Sequence, residues 1–322
     1  MGRDFPTLFS PSNSAWLRTM WEDGRPISHV GVWQGQIVSS AGPLRVAHLG
    51  AVCTANEYRN RGLATLILND ALEQLRAEET SLVFISGGRG LYLRLGARPA
   101  GRILRYTFVP PPAVSEVQLE LVDALQDRDL DAMRWLHGGE PVRYVRNPSE
   151  WRALLPAKGY APARQNRAVV LLRRHGQVVA YLLLGKPQIL ADGVREVVDE
   201  FAGDRRAIVQ GFSSLVSMRL ARAVELTVQP GDASLTELLA ERGGAATVIR
   251  HIGTTLLLDR DLLFRAVARS RPDLAAWNAS QPTGADPEQL GQLVLGVLGN
   301  AEADPPRPVP IEVPRQGGMQ YI

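Results

Sequence analysis

Three consecutive prolines at residues 110–112 are the strongest constraint on how this chain folds. Proline has no backbone N–H and a fixed φ angle, so such a run interrupts helices and sheets and favours an extended connection. On both sides of it we predict one order of elements: hairpin, strand, helix, strand, helix or turn, and a last strand. At about 150 residues per domain, 322 residues also give two domains. The sequence therefore predicts a duplicated α/β (α+β) fold, in which two tandem domains each have a mixed central sheet flanked by helices.

The domain boundaries follow the proline-rich segments. We expect an N-terminal domain at residues 1–112 and a C-terminal domain at residues 113–270. Residues 271–322 are expected to form a helix and an extended, proline-rich tail.

Several elements are predicted within this frame. In the first half, residues 26–33 and 36–41 alternate as two strands, and Gln34-Gly35 is expected to be their hairpin turn. In the second half, two strands are predicted to pair around His175-Gly176. A helix is expected to begin at Asp204, whose side chain is a good N-cap.

Composition excludes several classes of protein. The chain has one cysteine, Cys53, which rules out intramolecular disulfides and Cys-x-x-Cys zinc sites, and its five histidines have no metal-ligand spacing. The 36 basic and 33 acidic residues are mixed without blocks, which argues against nucleic acid as a partner. No signal peptide or membrane-length apolar run is present, so we expect a cytoplasmic protein that does not contact a membrane.

The segment from residue 48 to 97 carries the chemistry. A predicted strand at residues 49–53 is followed by the sequence Arg-Asn-Arg-Gly-Leu-Ala at residues 59–64 and then by an amphipathic helix. Glycine at position 62 allows close approach of a ligand, and the first N–H groups of the helix have no partner within it. With two arginines beside them, these amides favour a pyrophosphate. The segment is neither a P-loop nor a Rossmann fingerprint.

Residues 59–64 resemble the pyrophosphate motif Q/R-x-x-G-x-G/A of the GNAT (Gcn5-related N-acetyltransferase) superfamily. A second GNAT signature, aromatic-x-x-x-G-F/A, is matched at residues 92–97. The two motifs lie about thirty residues apart in the expected order. The resemblance implies an acyltransferase that uses acetyl-CoA as co-substrate.

The duplication resembles the tandem enhanced-intracellular-survival acetyltransferases in particular. In that group the first half binds acetyl-CoA, a tyrosine in a Ser/Gly-rich turn is the general acid, and the C-terminal carboxylate reaches the active site. The resemblance therefore makes Tyr92 the candidate acid and places the Ile322 carboxylate at the site; Tyr92 as a packed aromatic is the alternative. The group's third, sterol-carrier-like domain is not expected here, because only about fifty residues follow the second unit.

Two departures from the GNAT pattern are expected to matter. Only about 25 residues precede the first predicted strand, so the opening elements that usually wall the acceptor pocket are short or absent. In the second half, Asp204 stands where a pyrophosphate loop would be, and its charge would repel a phosphate. We therefore expect the second domain to be degenerate and to bind no CoA.

The resemblance also implies a set of contacts to acetyl-CoA, carried by the strand end, the loop and helix start, and the Ser/Gly turn. The predicted residues are Val52, Cys53, Thr54, Arg59, Asn60, Arg61, Gly62, Leu63, Ala64, Thr65, Ser86, Gly87 and Gly88. A backbone N–H near Val52 is expected to stabilise negative charge on the thioester oxygen. Either His48 or the Ile322 carboxylate would act as base, whereas Cys53 is expected to be a small buried strand residue and not a nucleophile.

The leading function from sequence is transfer of an acetyl group to an amine of a small molecule or peptide. The alternatives are a non-catalytic acyl-CoA-binding or scaffolding protein, and a tandem ligase that uses aminoacyl-tRNA. The ligase would need a basic groove, which the even charge distribution does not favour. The sequence does not define the oligomeric state.

Overall fold

The computed structural model describes residues 2, 4–112, 115–122, 124–157, 168–280 and 311–314. A 3₁₀ segment, Pro11–Trp16, comes first. The elements of the first half are β1 (Leu17–Glu22), β2 (Arg25–Ser39), β3 (Gly42–Thr54), α1 (Leu63–Ala77), β4 (Leu82–Ile85), α2 (Gly90–Arg94) and β5 (Arg102–Phe108).

The second half follows the triple proline and begins with a strand. Its elements are β6 (Gln118–Val122), α3 (Asp127–Gly138), β7 (Arg143–Val145), α4 (Pro148–Leu154), β8 (Ala168–Arg174), β9 (Gln177–Leu184), β10 (Gln188–Leu190), β11 (Gly193–Gly203), α5 (Arg205–Ser217), β12 (Ala223–Val228), α6 (Ala233–Glu241), β13 (Ala246–Arg250), β14 (Thr254–Leu257), α7 (Arg260–Val267) and α8 (Pro272–Ser280).

These strands form two mixed sheets in the described part of the chain. The first has the order β1-β2-β3-β4-β14, with β7 also paired to β2. The second has the order β13-β5-β12-β11-β9-β8-β6, with β10 paired to β11. Each sheet contains one parallel pair, β3 with β4 and β11 with β12, among antiparallel neighbours. The predicted fold of two mixed sheets flanked by helices is confirmed.

Helices cover both faces of each sheet, and each face buries its own apolar core. On the first sheet, α1 packs its apolar stripe on one face, while α7, α8 and the segment 311–314 cover the other. On the second sheet, α5 and α6 cover one face, and α3 and α4 cover the other. The stripe of α1, which includes Ile67, Ala71 and Leu75, has the i, i+4 spacing read from the sequence.

The predicted hairpin turn at Gln34-Gly35 is wrong. Strand β2 runs without interruption from Arg25 to Ser39, and its turn into β3 lies at residues 40–41. Gly35 is there for packing, because a Cβ at this position would lie 2.1 Å from the Trp33 ring on the same face of the strand. In sequence, a strand glycine that makes room for an indole looks the same as a turn glycine.

The two halves exchange strands. Strand β5, from the first half, pairs with β12 and β13 in the second sheet, and β14, from the second half, pairs with β4 in the first. Strand β7 of the second half also pairs with β2. The strands of each sheet therefore come from both sides of the triple proline. The domain boundaries proposed from the sequence stay a prediction.

The second half contains the elements predicted for it. Strands β8 and β9 pair around His175-Gly176, and α5 is capped by Asp204, whose side chain accepts from the Ala207 N–H at 2.9 Å. Among the residues that the structure describes, no helix has the length and apolar character needed to cross a bilayer.

The strand exchange is tested with a glycine beside β14. Gly253 has φ of +84°, and an added Cβ would lie 2.0 Å from the Ile85 carbonyl oxygen. We expect Gly253→Ala to lower the free energy of unfolding by about 2–3 kcal/mol in urea denaturation, through backbone strain and overlap between β14 and β4.

Gly243 is the matched control, with φ of +78° and no atom within 4 Å of an added Cβ. Gly243→Ala is expected to lower the free energy of unfolding by only about 1 kcal/mol, because it strains the backbone without overlap. Equal losses in the two variants would contradict the close packing of β14 on β4.

Candidate functional site

The site begins where β3 and β4 stop pairing. Their parallel register runs from Val46 opposite Leu82 to Leu49 opposite Ile85. Beyond that point β3 continues to Thr54, whereas β4 ends. No described strand pairs with residues 50–54 on this edge, so their backbone groups face an opening in the sheet.

A β-bulge shapes the β3 side of the opening. His29 of β2 pairs with Cys53 and Gly31 pairs with Gly50, so two residues of β3 lie opposite Val30 alone. One of these two, Ala51, has φ of +51°, which is unusual for a residue with a side chain. Because a bulge redirects the backbone, it turns the amides near Val52 relative to the regular ladder.

The loop before α1 leaves amide groups free. Asn60 and Gly62 have left-handed φ angles of +63° and +76°. Gly62 is the N-cap and provides no side-chain cap, and the first backbone bond within the helix runs from the Leu66 N–H to the Gly62 carbonyl. The N–H groups of residues 63–65 therefore have no partner within the helix.

The two arginines of this loop help to hold its shape. Arg59 Nε donates to the Thr54 carbonyl at 3.3 Å, and Arg61 Nη2 donates to the Glu57 carbonyl at 2.9 Å. Arg61 also lies over the Tyr58 ring, with 4.8 Å between the guanidinium carbon and the ring centroid. Both guanidinium groups have N–H groups left for an anion, and both residues are exposed.

In the second half, the helix start that corresponds to this loop is already bound by two carboxylates of the protein. There the helix after the strand is α5, which Asp204 caps. Glu140 Oε1 accepts from the Gly203 N–H at 3.0 Å and from Arg205 at 2.8 Å. This arrangement is consistent with the prediction that the second half binds no phosphate, because the positions of an anion are already occupied by carboxylates.

The other side of the opening is the turn that contains Ser86, Gly87 and Gly88. Thr254 of β14 donates from Oγ1 to the Gly87 carbonyl at 2.9 Å. Gly253 packs directly on the backbone of Ile85 and Ser86. The second half therefore holds this turn in place through β14.

Tyr92 lies on α2, directly after this turn. Its side chain is buried in the α1 core, and a Cβ added to Gly87 would lie 3.7 Å from its ring. Burial raises the pKa of the Tyr92 hydroxyl, and Arg89 lowers it by a smaller amount. The hydroxyl therefore stays protonated at neutral pH and has a proton to donate.

His48 is packed among aromatic rings. Its ring centroid lies 5.5 Å from Trp33, 5.2 Å from Phe84 and 5.6 Å from Tyr144. Nε2 is buried without a hydrogen-bond partner in the described part of the chain, and burial lowers the pKa to about 3. The imidazole is thus neutral, and this environment favours a packing role.

His29 belongs to none of the sequence motifs, but it pairs with Cys53 at the bulge. Its Nδ1 lies 2.9 Å from Thr19 Oγ1, its ring stacks on Phe9 at 6.4 Å, and burial lowers its pKa. Nε2 has no partner among the described residues. No sequence signal marks the bulge, so the position of His29 was not predictable.

Cys53 and Ile322 are two further residues predicted from the sequence. The Cys53 side chain is exposed, so the prediction that it is buried is wrong, because the bulge interrupts the regular pairing of β3 with β2 beside it. Ile322 lies outside the described residues, so its role stays a prediction. Within the residues described, no three His, Cys, Asp or Glu side chains are grouped so that they could hold a metal ion.

Comparison with known proteins agrees with this geometry. Residues 10–100 match the model of an acetyltransferase (GNAT) domain. This segment is thus similar to the GNAT acetyltransferases. The match includes the opening between β3 and β4, the loop before α1 and the Ser/Gly turn. A search of curated protein sequences finds no match to the chain.

Solved structures of the GNAT fold resemble most of the chain. Eis1 from Mycobacterium abscessus aligns at TM-score 0.58 and 14% identity, over 82% of this chain and 71% of that one. A GCN5-related N-acetyltransferase from Anabaena variabilis aligns at TM-score 0.56 and 16% identity, over 80% and 68%. One from Kribbella flavida aligns at TM-score 0.56 and 19% identity, over 77% and 61%.

These likenesses establish a shared tandem GNAT-like fold that resembles the Eis type. The chain spans about two thirds of the length of the structures that it matches. The resemblance stated from sequence is confirmed at the level of family and fold.

The environment of His48 predicts a pH effect on stability. Below pH 6.5 the unfolded chain binds a proton at this residue, whereas the folded chain leaves it neutral down to about pH 3. The contribution of His48 to the free energy of unfolding therefore decreases as the pH falls from 6.5 to about 3. Between pH 7.5 and 4.5 this group should account for a loss of about 3 kcal/mol.

We expect His48→Phe to remove this share of the loss, when urea denaturation is compared at the two pH values. His175→Asn, which replaces an imidazole at the exposed β8–β9 turn, is the control. An unchanged pH dependence in His48→Phe would mean that the imidazole is charged in the folded protein.

Proposed function

We propose that this protein is an N-acetyltransferase that moves an acetyl group from acetyl-CoA to an amine of a small molecule or peptide. The observation that carries the proposal is the opening between β3 and β4 beside the uncapped start of α1. A strand edge and a set of free amides meet there, within the segment that matches the GNAT acetyltransferase domain. Acetyl-CoA supplies an activated acetyl thioester.

Three groups of residues would hold acetyl-CoA. The free edge at Val52, Cys53 and Thr54 would pair with the amides of the pantetheine arm, as an added strand does. The loop and helix start would bind the pyrophosphate through residues 60–65, with Arg59 and Arg61 adding positive charge. Ser86, Gly87 and Gly88 would border the arm on the other side.

The bulge near Val52 and the hydroxyl of Tyr92 would each stabilise one atom of the reacting thioester. An N–H near Val52 would stabilise the negative charge that develops on the acetyl oxygen. Tyr92 would give its proton to the departing sulfur. A tyrosine hydroxyl is protonated at neutral pH, and burial of this one raises its pKa further. The bulge in β3 would thus act on the acetyl oxygen and Tyr92 of α2 on the sulfur, which are the two atoms whose charge changes.

An acceptor amine must lose a proton to react, and we propose His29 as the group that takes it. Its pKa is lowered, its Nδ1 is held by Thr19, and its Nε2 is unpartnered beside the bulge. His48 was the earlier candidate, but a pKa of about 3 makes it a poor base at neutral pH. The Ile322 carboxylate remains a second candidate.

Acetyl-CoA binding is tested at the loop. Gly62 has φ of +76° and no atom within 4 Å of an added Cβ. Gly62→Ala should therefore fold but strain the loop and turn its amides away, so that the Kd for acetyl-CoA rises roughly tenfold. The measurement is isothermal titration calorimetry, supported by thermal shift at saturating acetyl-CoA.

Gly24 is the matched control for this change, because it has φ of +74° and equally open surroundings in the β1–β2 turn. Gly24→Ala should bind acetyl-CoA with unchanged affinity. Absence of any thermal shift at millimolar acetyl-CoA in the natural protein would remove the proposal for acetyl-CoA.

The acid role is tested with Tyr92→Phe. Turnover, followed as CoA release with a panel of amines, should fall by roughly 10²-fold or more because the departing sulfur loses its proton donor. Acetyl-CoA affinity should stay constant, since the ring still fills its place in the core. Tyr106→Phe, a buried tyrosine of the second sheet, is the control. Unchanged turnover in Tyr92→Phe would exclude this residue from the mechanism.

A further inference from the structure

A cavity of about 310 Å³ is lined mainly by residues of the second half. It lies near the C-terminal end of β2, away from the opening between β3 and β4. The parallel pairing of β11 and β12 ends at Val198 opposite Leu226, and the cavity lies beyond this point. The first half contributes Ser40 of the β2–β3 turn, and the segment 311–314 contributes Glu312 and Pro314. The cavity is therefore closed by parts of the chain that are distant in sequence.

The topology of this place repeats that of the first half. In the second half, as in the first, a parallel pair of strands ends beside an irregularity in the ladder. Here the pair is β11 and β12, the irregularity lies between Val198 and Glu200 of β11, and helix α5 follows β11. The helix start is blocked for phosphate by Glu140 and Asp204. The opening between the strands nevertheless remains, as a cavity that is partly open to solvent.

The charges on its wall are unequal. Within the described residues, five carboxylates but only three guanidinium groups line the cavity. Arg146, with its side chain 1% exposed, forms a bidentate pair with Glu200 at 2.7 and 2.9 Å. Arg205 binds both Glu140 at 2.6 Å and Asp232 at 2.8 Å. These two arginines are therefore already neutralised, and negative charge is in excess.

Glu312 carries part of that excess. Its Oε1 accepts from the Gly231 N–H at 2.7 Å, but no described cation lies within ion-pair distance. Burial raises the pKa of Glu312, the Gly231 N–H opposes this, and Asp232 raises it further. A carboxylate that is desolvated beside a second one is stabilised by a positive charge placed between them.

The cavity also has unused hydrogen-bonding groups. Tyr144 is buried on its wall, and its hydroxyl has no partner among the described residues. Gln229 donates from Nε2 to the Val313 carbonyl at 2.9 Å, while its Oε1 has no partner in the same residues. Buried polar groups of this kind are normally satisfied, so both are available to a ligand.

We propose that this cavity binds a small organic cation with more than one amino group, such as an aliphatic diamine. Ammonium groups would pair with Glu312 and with Asp232, which would then be shared with Arg205, and would donate to Gln229 Oε1 and Tyr144 Oη. The lining carboxylates form no group of three in the described chain that could hold a metal ion, so an extended cation fits better than a metal. The volume suits a small molecule. This inference does not depend on the proposed acetyl transfer.

The test titrates the full chain, without acetyl-CoA, with 1,4-diaminobutane by isothermal titration calorimetry. Glu312→Gln keeps an oxygen for the Gly231 N–H but removes the charge, and we expect it to raise the Kd tenfold or more. Glu241→Gln on the exposed end of α6 is the control and should bind as the natural protein does. Tyr144→Phe, which keeps the ring, should weaken binding several-fold.

Hydrogen exchange locates the bound diamine. Amides of residues 227–232 and 311–314 should exchange more slowly in its presence, whereas residues 50–62 should not change. Butane-1,4-diol and MgCl₂ should give no heat of binding. Equal affinity in Glu312→Gln, binding of Mg²⁺ that Glu312→Gln abolishes, or protection confined to residues 50–62 would each overturn the proposal.

Discussion

Strand β4 is the element on which the rest of the structure depends. It is four residues long, and all of them are buried. It pairs in parallel with β3 on one edge and antiparallel with β14 on the other. The first pairing fixes where the sheet opens, and the second joins the two halves. A change in either edge of β4 would therefore alter both the site and the junction between the halves.

The site itself is built mainly from backbone. The free edge of β3, the bulge at Ala51 and the amides before α1 all present main-chain groups, which the fold holds in place without side chains. The two halves differ at the start of the helix that follows the parallel strand pair. In the first half the helix start is left bare, and in the second it is satisfied by Asp204 and Glu140. Which half can bind an anion therefore follows from a few side chains on a common frame.

Much of this could be predicted from the sequence. The apolar spacing of α1, the cap at Asp204 and the loop around Gly62 depend on contacts between near neighbours, so periodicity and residue type were sufficient. The Gln34-Gly35 turn was wrong because a strand glycine that accommodates Trp33 has the same sequence signature as a turn glycine. The pairing of β14 with β4 and the bulge beside His29 depend on partners distant in the chain, which local patterns do not contain.

The exchange of β5 and β14 also bears on how such a chain changes over evolution. If the gene were cut at the prolines, the first fragment would keep β5 without its sheet. The second would keep β7, β13 and β14 without their partners, and the unpaired strand edges in both would invite aggregation. Loss of the second half by deletion would thus remove the strand that supports Gly87 in the first. Selection on the folding of the first half would in this way retain the second half as well.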